Sequence, residues 1–342
     1  MIALQIIQPG EIRMLEIEKP VMQDNEVLLR IKYVGFCGSD LNTFKGKNPL
    51  VEFPIIPGHE IGAVIESTGS KVPAHLVPGL SCTVNPYTAC GHCTSCRQNR
   101  PNACRFNQTL GVQRNGAMCE YISVPWEKVI CDDKISPLDF TLVEPLSVGF
   151  HAVARANITE RDTVAVIGCG MIGVGAIVGA AARGANVVAL DIDNEKLNLA
   201  IALGAKHTIN SKENDVHAEI EKITGGNGAD VTIEAVGDAL TYQLAVNETA
   251  FSGRIVYIGY AKQPVVFETK NFVQKELDIR GSRNALPEDF RAVMNYIKNS
   301  SFPKDRLISA IYRPQEASDA LNYWANNPGS VFRIFIEFVI NK

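Results

Sequence analysis

The sequence predicts a mixed α/β protein: a β-rich first third joined to an inserted, doubly wound parallel sheet. Two observations carry this. Up to about Glu144, β-branched and apolar runs such as EVLLRIKYVGF and GAVIEST are punctuated by glycine and proline, the pattern of strands and turns. Beyond it, strand-like and helix-like segments alternate: TVAVIG, MIGVGAIVGAAARG, NVVALD, NEKLNLAIALG, KHTIN, HAEIEKITGG, ADVTIEAVG, ALTYQLAVNETA and GRIVYIG. Such alternation reads as crossover units feeding a parallel sheet. Past about residue 280 come one helix, PEDFRAVMNYIKNS, and a final strand near FRIFIEFVI. This tail is too short for a third domain, so it is expected to rejoin the first third. The expected division is 1–145 with 281–342 for a discontinuous domain, and 146–280 for the insert.

The length of 342 residues suits two domains. Hydrophobic residues make up 46% and charged residues 20%, enough for a sizeable core. The net charge of −4 and the lack of a basic block exclude the electrostatic footprint of a nucleic-acid binder. The N-terminal stretch has no basic segment followed by an apolar one, so a cytoplasmic setting is expected. From Thr163 to Ala182 there are 20 residues without a charge, which a hydropathy window reads as a membrane span. Five glycines inside it, with three at a specific spacing, favour a buried strand running into a buried helix.

Those three are Gly168, Gly170 and Gly173, a G-x-G-x-x-G that follows a strand and opens a helix at Met171 and Ile172. The glycines permit a tight turn and close backbone approach to a pyrophosphate, and the helix start offers free N–H groups. Asp191 ends the next strand 18 positions after Gly173, near the spacing at which an acid binds the adenosine ribose. No Arg or Lys follows at once, so NAD is favoured over NADP as the cofactor.

Nine cysteines are present, and four of them, Cys90, Cys93, Cys96 and Cys104, form C-x2-C-x2-C-x7-C. An odd count and no secretory leader argue against a disulfide framework. Four thiolates so spaced can wrap one Zn²⁺ tetrahedrally and leave no open position, which is a structural site. A zinc ribbon for nucleic acid is the competing reading, and the acidic chain disfavours it. A second group lies elsewhere. Cys37 follows the strand EVLLRIKYVGF, His59 and Glu60 precede another strand, and Glu144 sits at the domain junction. Sulfur, imidazole and carboxylate together suit Zn²⁺, with one position left for water or an alcohol.

C-G-S-D, G-H-E, the four-cysteine loop, E-P-L-S and G-x-G-x-x-G together resemble the zinc-dependent medium-chain dehydrogenase/reductases over essentially the whole chain. The resemblance implies a GroES-like catalytic domain built from both ends, a Rossmann NAD-binding domain between them, two zinc ions per chain, and a homodimer or homotetramer. It points to the polyol and sugar dehydrogenase branch, acting on a small molecule with neither nucleic acid nor membrane as partner. In that branch Cys37 and His59 match catalytic zinc ligands. Glu60 and Glu144 share the remaining carboxylate role, directly or through bound water. Ser39 matches the hydroxyl that meets the substrate oxygen. Relatives carry a relay histidine three residues later, where this chain has Asn42, an amide that does not titrate near neutrality. The proton is therefore expected to leave through Glu60 or Glu144.

The segment GSRNALPEDF resembles a stretch of L-galactonate 5-dehydrogenase-type proteins. Arg283 within it suits a sugar-acid carboxylate held bidentately, or else anchors cofactor or backbone. Sorbitol or L-iditol and L-threonine are the alternative substrates. A regulatory zinc protein without chemistry would show a lost ligand or a broken glycine motif, and neither is seen.

Overall fold

In the computed structural model, β1 (Ile2–Gln8) and β2 (Glu11–Glu16) form a hairpin that turns at Gly10, whose φ of +79° suits glycine. β3 (Glu26–Phe36), β4 (Glu60–Thr68) and β5 (Ser81–Val84) follow. The short pair of β6 (Tyr87–Thr88) and β7 (Gln108–Thr109) brackets the cysteine-rich loop. β8 (Tyr121–Pro125) and β9 (Val129–Cys131) complete the first run of strands. The structure describes residues 1–300 and 302–338.

The apolar run divides as expected. β10 (Thr163–Ile167) ends at Gly168, and the helix Met171–Ala181 begins three residues later. No described helix is long and apolar enough to cross a membrane. The remaining glycines serve packing. A Cβ on Gly175 would lie 2.6 Å from the Leu146 carbonyl, and one on Gly149 would lie 2.3 Å from the Ala176 nitrogen. The helices Val143–Ala156 and Met171–Ala181 thus cross backbone against backbone. β11 (Asn186–Asp191), β12 (His207–Asn210), β13 (Ala229–Glu234), β14 (Thr249–Tyr257) and β15 (Asp278–Gly281) join β10 in a parallel sheet of order β12-β11-β10-β13-β14-β15. The order reverses beside β10, and in such sheets that switch point is where dinucleotides bind.

The chain then rejoins the first sheet. β16 (Ile308–Tyr312) pairs with β17 (Arg333–Glu337), and β17 runs antiparallel to β3 with Ile334 opposite Phe36. The sheet has seven strands, β16-β17-β3-β4-β5-β9 with β8 also on β3. Phe36, Ile61, Ile65, Ile334 and Ile336 are all buried in its core. Each such side chain contributes about 1.5–3 kcal/mol.

Compactness divides the chain into one unit of Met1–Glu144, Ile297–Ser300 and the segment from Lys304 onward, and another centred on Pro145–Tyr296. The insert thus runs to Tyr296, later than the residue 280 read from the pattern. The helix Pro287–Asn299 accounts for this: it buries Phe290, Val293 and Met294, and its Asp289 carboxylate lies 2.8 Å from His151 Nδ1 inside the same unit.

Candidate metal centres and cofactor turn

Cys37 lies between the end of β3 and the helix Gly38–Phe44. Gly58, at φ +98°, turns the chain so that His59 leads into β4 and Glu60 opens it. In the β3–β4 register Gly35 stands opposite Glu60. A Cβ on Gly35 would meet Glu60 Oε2 at 2.2 Å, so this glycine leaves the space the carboxylate occupies. The ligand atoms of Cys37, His59 and Glu60 consequently lie within 4.8 Å of one another.

His59 and Glu60 are buried, Cys37 is half-buried, and the group is short of partners. His59 Nδ1, Glu60 Oε1 and Ser39 Oγ have no hydrogen-bond partner, and Glu60 Oε2 has an ion pair but no well-formed hydrogen bond. Buried polar atoms are ordinarily satisfied, and an orphan costs roughly 1–3 kcal/mol. A sulfur, a nitrogen and a carboxylate gathered in this way fit Zn²⁺ with one position left over. Burial raises the Cys37 thiol, but the charge and hydrogen bond of His59 outweigh it and bring the pKa down to about 7. Burial lowers His59, and the neighbouring Cys37 outweighs that, so its pKa rises well above the usual range. The pair thus favours a thiolate, the form that binds metal.

Three residues that the sequence reading passed over hold this group. Arg333 Nε, on β17, lies 3.1 Å from Glu60 Oε2, and its Nη1 donates to the Phe36 carbonyl at 3.0 Å. Asp40, wholly buried, accepts the Cys37 N–H at 2.8 Å. An acid at the third position of a helix is a capping signal, and it was legible in C-G-S-D. Tyr87 donates its phenol proton to Glu144 Oε1. Glu144 itself is not one of the three residues whose ligand atoms converge. Its charge nonetheless acts on both His59 and Glu60.

Cys90, Cys93, Cys96 and Cys104 also converge within 4.8 Å. Backbone N–H groups of Cys93 and Phe106 point at the Cys90 and Cys104 sulfurs, at 3.4 Å and 3.3 Å. A hydrogen bond from Ser95 leads the causes that bring the Cys93 thiol down to about 5. Donors aimed at sulfur stabilise the thiolates that four-cysteine zinc sites require. None of the nine cysteines is joined in a disulfide.

In the second unit Gly168 has φ +93° and donates its N–H to the Leu190 carbonyl at 2.8 Å. A Cβ on Gly173 would fall 1.7 Å from the Gly168 carbonyl, whereas one on Gly170 would meet nothing. The third glycine thus seals the helix onto the turn, and the second leaves open space. Met171 and Ile172 form the first turn of the helix. Asp191 closes β11 beside this turn, and its carboxylate accepts the Cys169 N–H at 2.7 Å. Arg283 is exposed, just after β15.

Two family models match the chain: an alcohol dehydrogenase GroES-like domain over residues 23–132 and a zinc-binding dehydrogenase over residues 172–299. L-galactonate-5-dehydrogenase of Escherichia coli (strain K12) is 34% identical over 305 residues, 89% of each chain. Sorbitol dehydrogenase of Bacillus subtilis (strain 168) is 32% identical, covering 91% of this chain and 90% of that one. Among solved structures, the NADH complex of an Escherichia coli alcohol dehydrogenase superposes with a TM-score of 0.90 at 27% identity, over 99% of both chains. The chain belongs to the zinc-binding, NAD-dependent alcohol dehydrogenases of the medium-chain type, in company with polyol and sugar dehydrogenases.

Proposed function

We propose that the protein oxidises a secondary alcohol of a sugar acid to a ketone, with L-galactonate the favoured substrate. The observation that carries the reading is the convergence of the Cys37, His59 and Glu60 ligand atoms, with His59 Nδ1 and Glu60 Oε1 buried and without a hydrogen bond. We assign those three residues, with Glu144 at hand, to a catalytic zinc, and Cys90, Cys93, Cys96 and Cys104 to a second, structural one. When bound, zinc supplies Lewis acidity toward the alcohol and NAD accepts the hydride.

The chain's own residues do the rest. Ser39 Oγ, buried and unbonded, is free to take up the substrate hydroxyl. Arg333 holds the Glu60 carboxylate and Tyr87 holds that of Glu144, so each acid has a fixed place for receiving a proton. Asn42 orients a cofactor ribose but carries no proton onward. Gly168, Gly170 and Gly173, with the helix start at Met171 and Ile172, cradle the pyrophosphate. Asp191 binds the adenosine ribose and repels a 2′-phosphate. Arg283 pairs with the substrate carboxylate, on the strength of its geometry-matching guanidinium and the shared GSRNALPEDF segment. Nine cysteines without a disulfide suit a reducing, cytoplasmic setting, and a homodimer or homotetramer follows the resemblance.

The test is zinc content together with NADH production on L-galactonate, sorbitol and L-threonine. Two zinc ions per chain and the highest kcat/KM on L-galactonate are expected. Turnover of L-galactonate no better than sorbitol overturns the sugar-acid reading and moves the assignment to polyols.

A further inference from the structure

Cys82 and Cys131 belong to neither metal cluster, yet they stand directly opposite one another on the antiparallel strands β5 and β9. The ladder around them settles the kind of pair. Asp132 N–H donates to the Ser81 carbonyl at 3.3 Å, and Asn85 N–H to the Lys128 carbonyl at 2.8 Å. Hydrogen-bonded positions therefore fall at 81/132 and 85/128, and alternation makes 82/131 a non-hydrogen-bonded pair. Facing Cα atoms at such positions are about 4.5 Å apart with side chains on one face, inside the span a disulfide bridges. Cys82 is fully buried, Cys131 is half-buried, and β9 is the edge strand of its sheet. One sulfur is thus reachable from outside and the other only through it.

We propose that Cys82 and Cys131 form a reversible thiol–disulfide site that closes into a cross-strand disulfide on reaction with a low-molecular-weight disulfide. The Cys131 thiolate attacks one sulfur of that disulfide, forms a mixed disulfide and expels one thiol. Cys82 then gives up its proton and attacks the Cys131 sulfur, forming the Cys82–Cys131 bond and expelling the second thiol. Two electrons pass from the protein thiols to the small disulfide, and the two cysteine protons end on the two released thiols. The contact between the sulfurs suits this order: the hydrogen bond from Cys82 lowers the Cys131 thiol and leaves Cys82 well above its ordinary value. The attacking thiol is the half-buried one, and the resolving thiol is the fully buried one. The closed loop contains the 48 residues from Thr83 to Ile130, including the entire four-cysteine segment. Closing it removes conformations from the unfolded chain and raises resistance to heat.

The test exposes the zinc-loaded enzyme to glutathione disulfide and maps its peptides without reduction. Expected are a linked Cys82–Cys131 peptide, two fewer titratable thiols per chain, unchanged zinc content, a higher Tm, and reversal of all of these by dithiothreitol. In Cys82→Ala the reaction stops at a glutathione adduct on Cys131, and in Cys131→Ser neither adduct nor link forms. The proposal is overturned if both thiols stay free in the wild type, if the link appears only after zinc is lost, or if Cys131→Ser still consumes Cys82.

Discussion

Arg333 Nε lies 3.1 Å from Glu60 Oε2, joining a wholly buried acid to a guanidinium 273 positions further along the chain. Neither charge reaches water, so each depends on the other. Removing one partner from a buried pair costs about 3–5 kcal/mol, because the other is left uncompensated. Arg333→Met at saturating zinc is expected to lose stability of that order in denaturant unfolding. Adding Glu60→Gln should return part of it. Strictly additive losses in the double-mutant cycle would show that the two residues are not energetically coupled.

Tyr87→Phe removes the phenol donor from Glu144. The expected loss is about 1–3 kcal/mol, with a fall in kcat/KM and an intact fold by circular dichroism. Glu144→Gln tests the proton route alongside it. If it retains full activity and an unaltered pH–rate profile, Glu144 has no part in carrying the proton.

Gly173→Ala would place a methyl group 1.7 Å from the Gly168 carbonyl. No rotamer relieves a backbone clash, so the turn must open. NADH affinity is expected to fall at least about tenfold, or about 1.4 kcal/mol, in a fluorescence titration. Zinc content should remain that of the wild type, since neither metal cluster lies in this turn. Unchanged NADH affinity would remove the turn from the cofactor site.

His217 Nδ1 lies 3.1 Å from Glu248 Oε2, and the hydrogen bond and charge of that carboxylate raise the histidine pKa. A histidine raised on folding stabilises the folded state below its unfolded pKa of about 6.5 and loses that contribution as pH rises through the folded value. Proton NMR should therefore find His217 titrating higher in the wild type than in Glu248→Gln. The stability difference between the two should shrink as the pH is raised. Equal titration midpoints would rule the interaction out.

The parts legible in advance share one property: their spacing is short. C-x2-C-x2-C-x7-C, G-x-G-x-x-G with Asp191, and the alternation of strand with helix all operate within a few turns of chain. There, backbone geometry dictates which side chains can meet. The types of Cys37, His59 and Glu60 and their place at strand ends suggest a metal, and the antiparallel register of β3 with β4 brings their ligand atoms together.

What escaped was set by pairing over long separations. Arg333 reaches Glu60 because β17 returns to β3, and no pattern near residue 333 announces that. Gly35 reads as a break in a strand, but it is the gap that a carboxylate fills. Tyr87 meets Glu144, in the first turn of a helix, across 57 positions of chain, and Cys82 meets Cys131 only once β5 and β9 lie side by side. A local motif constrains its own backbone. Which distant group completes a buried charge, an acid or a thiol depends on the register of the sheet, and register is a property of the packed core.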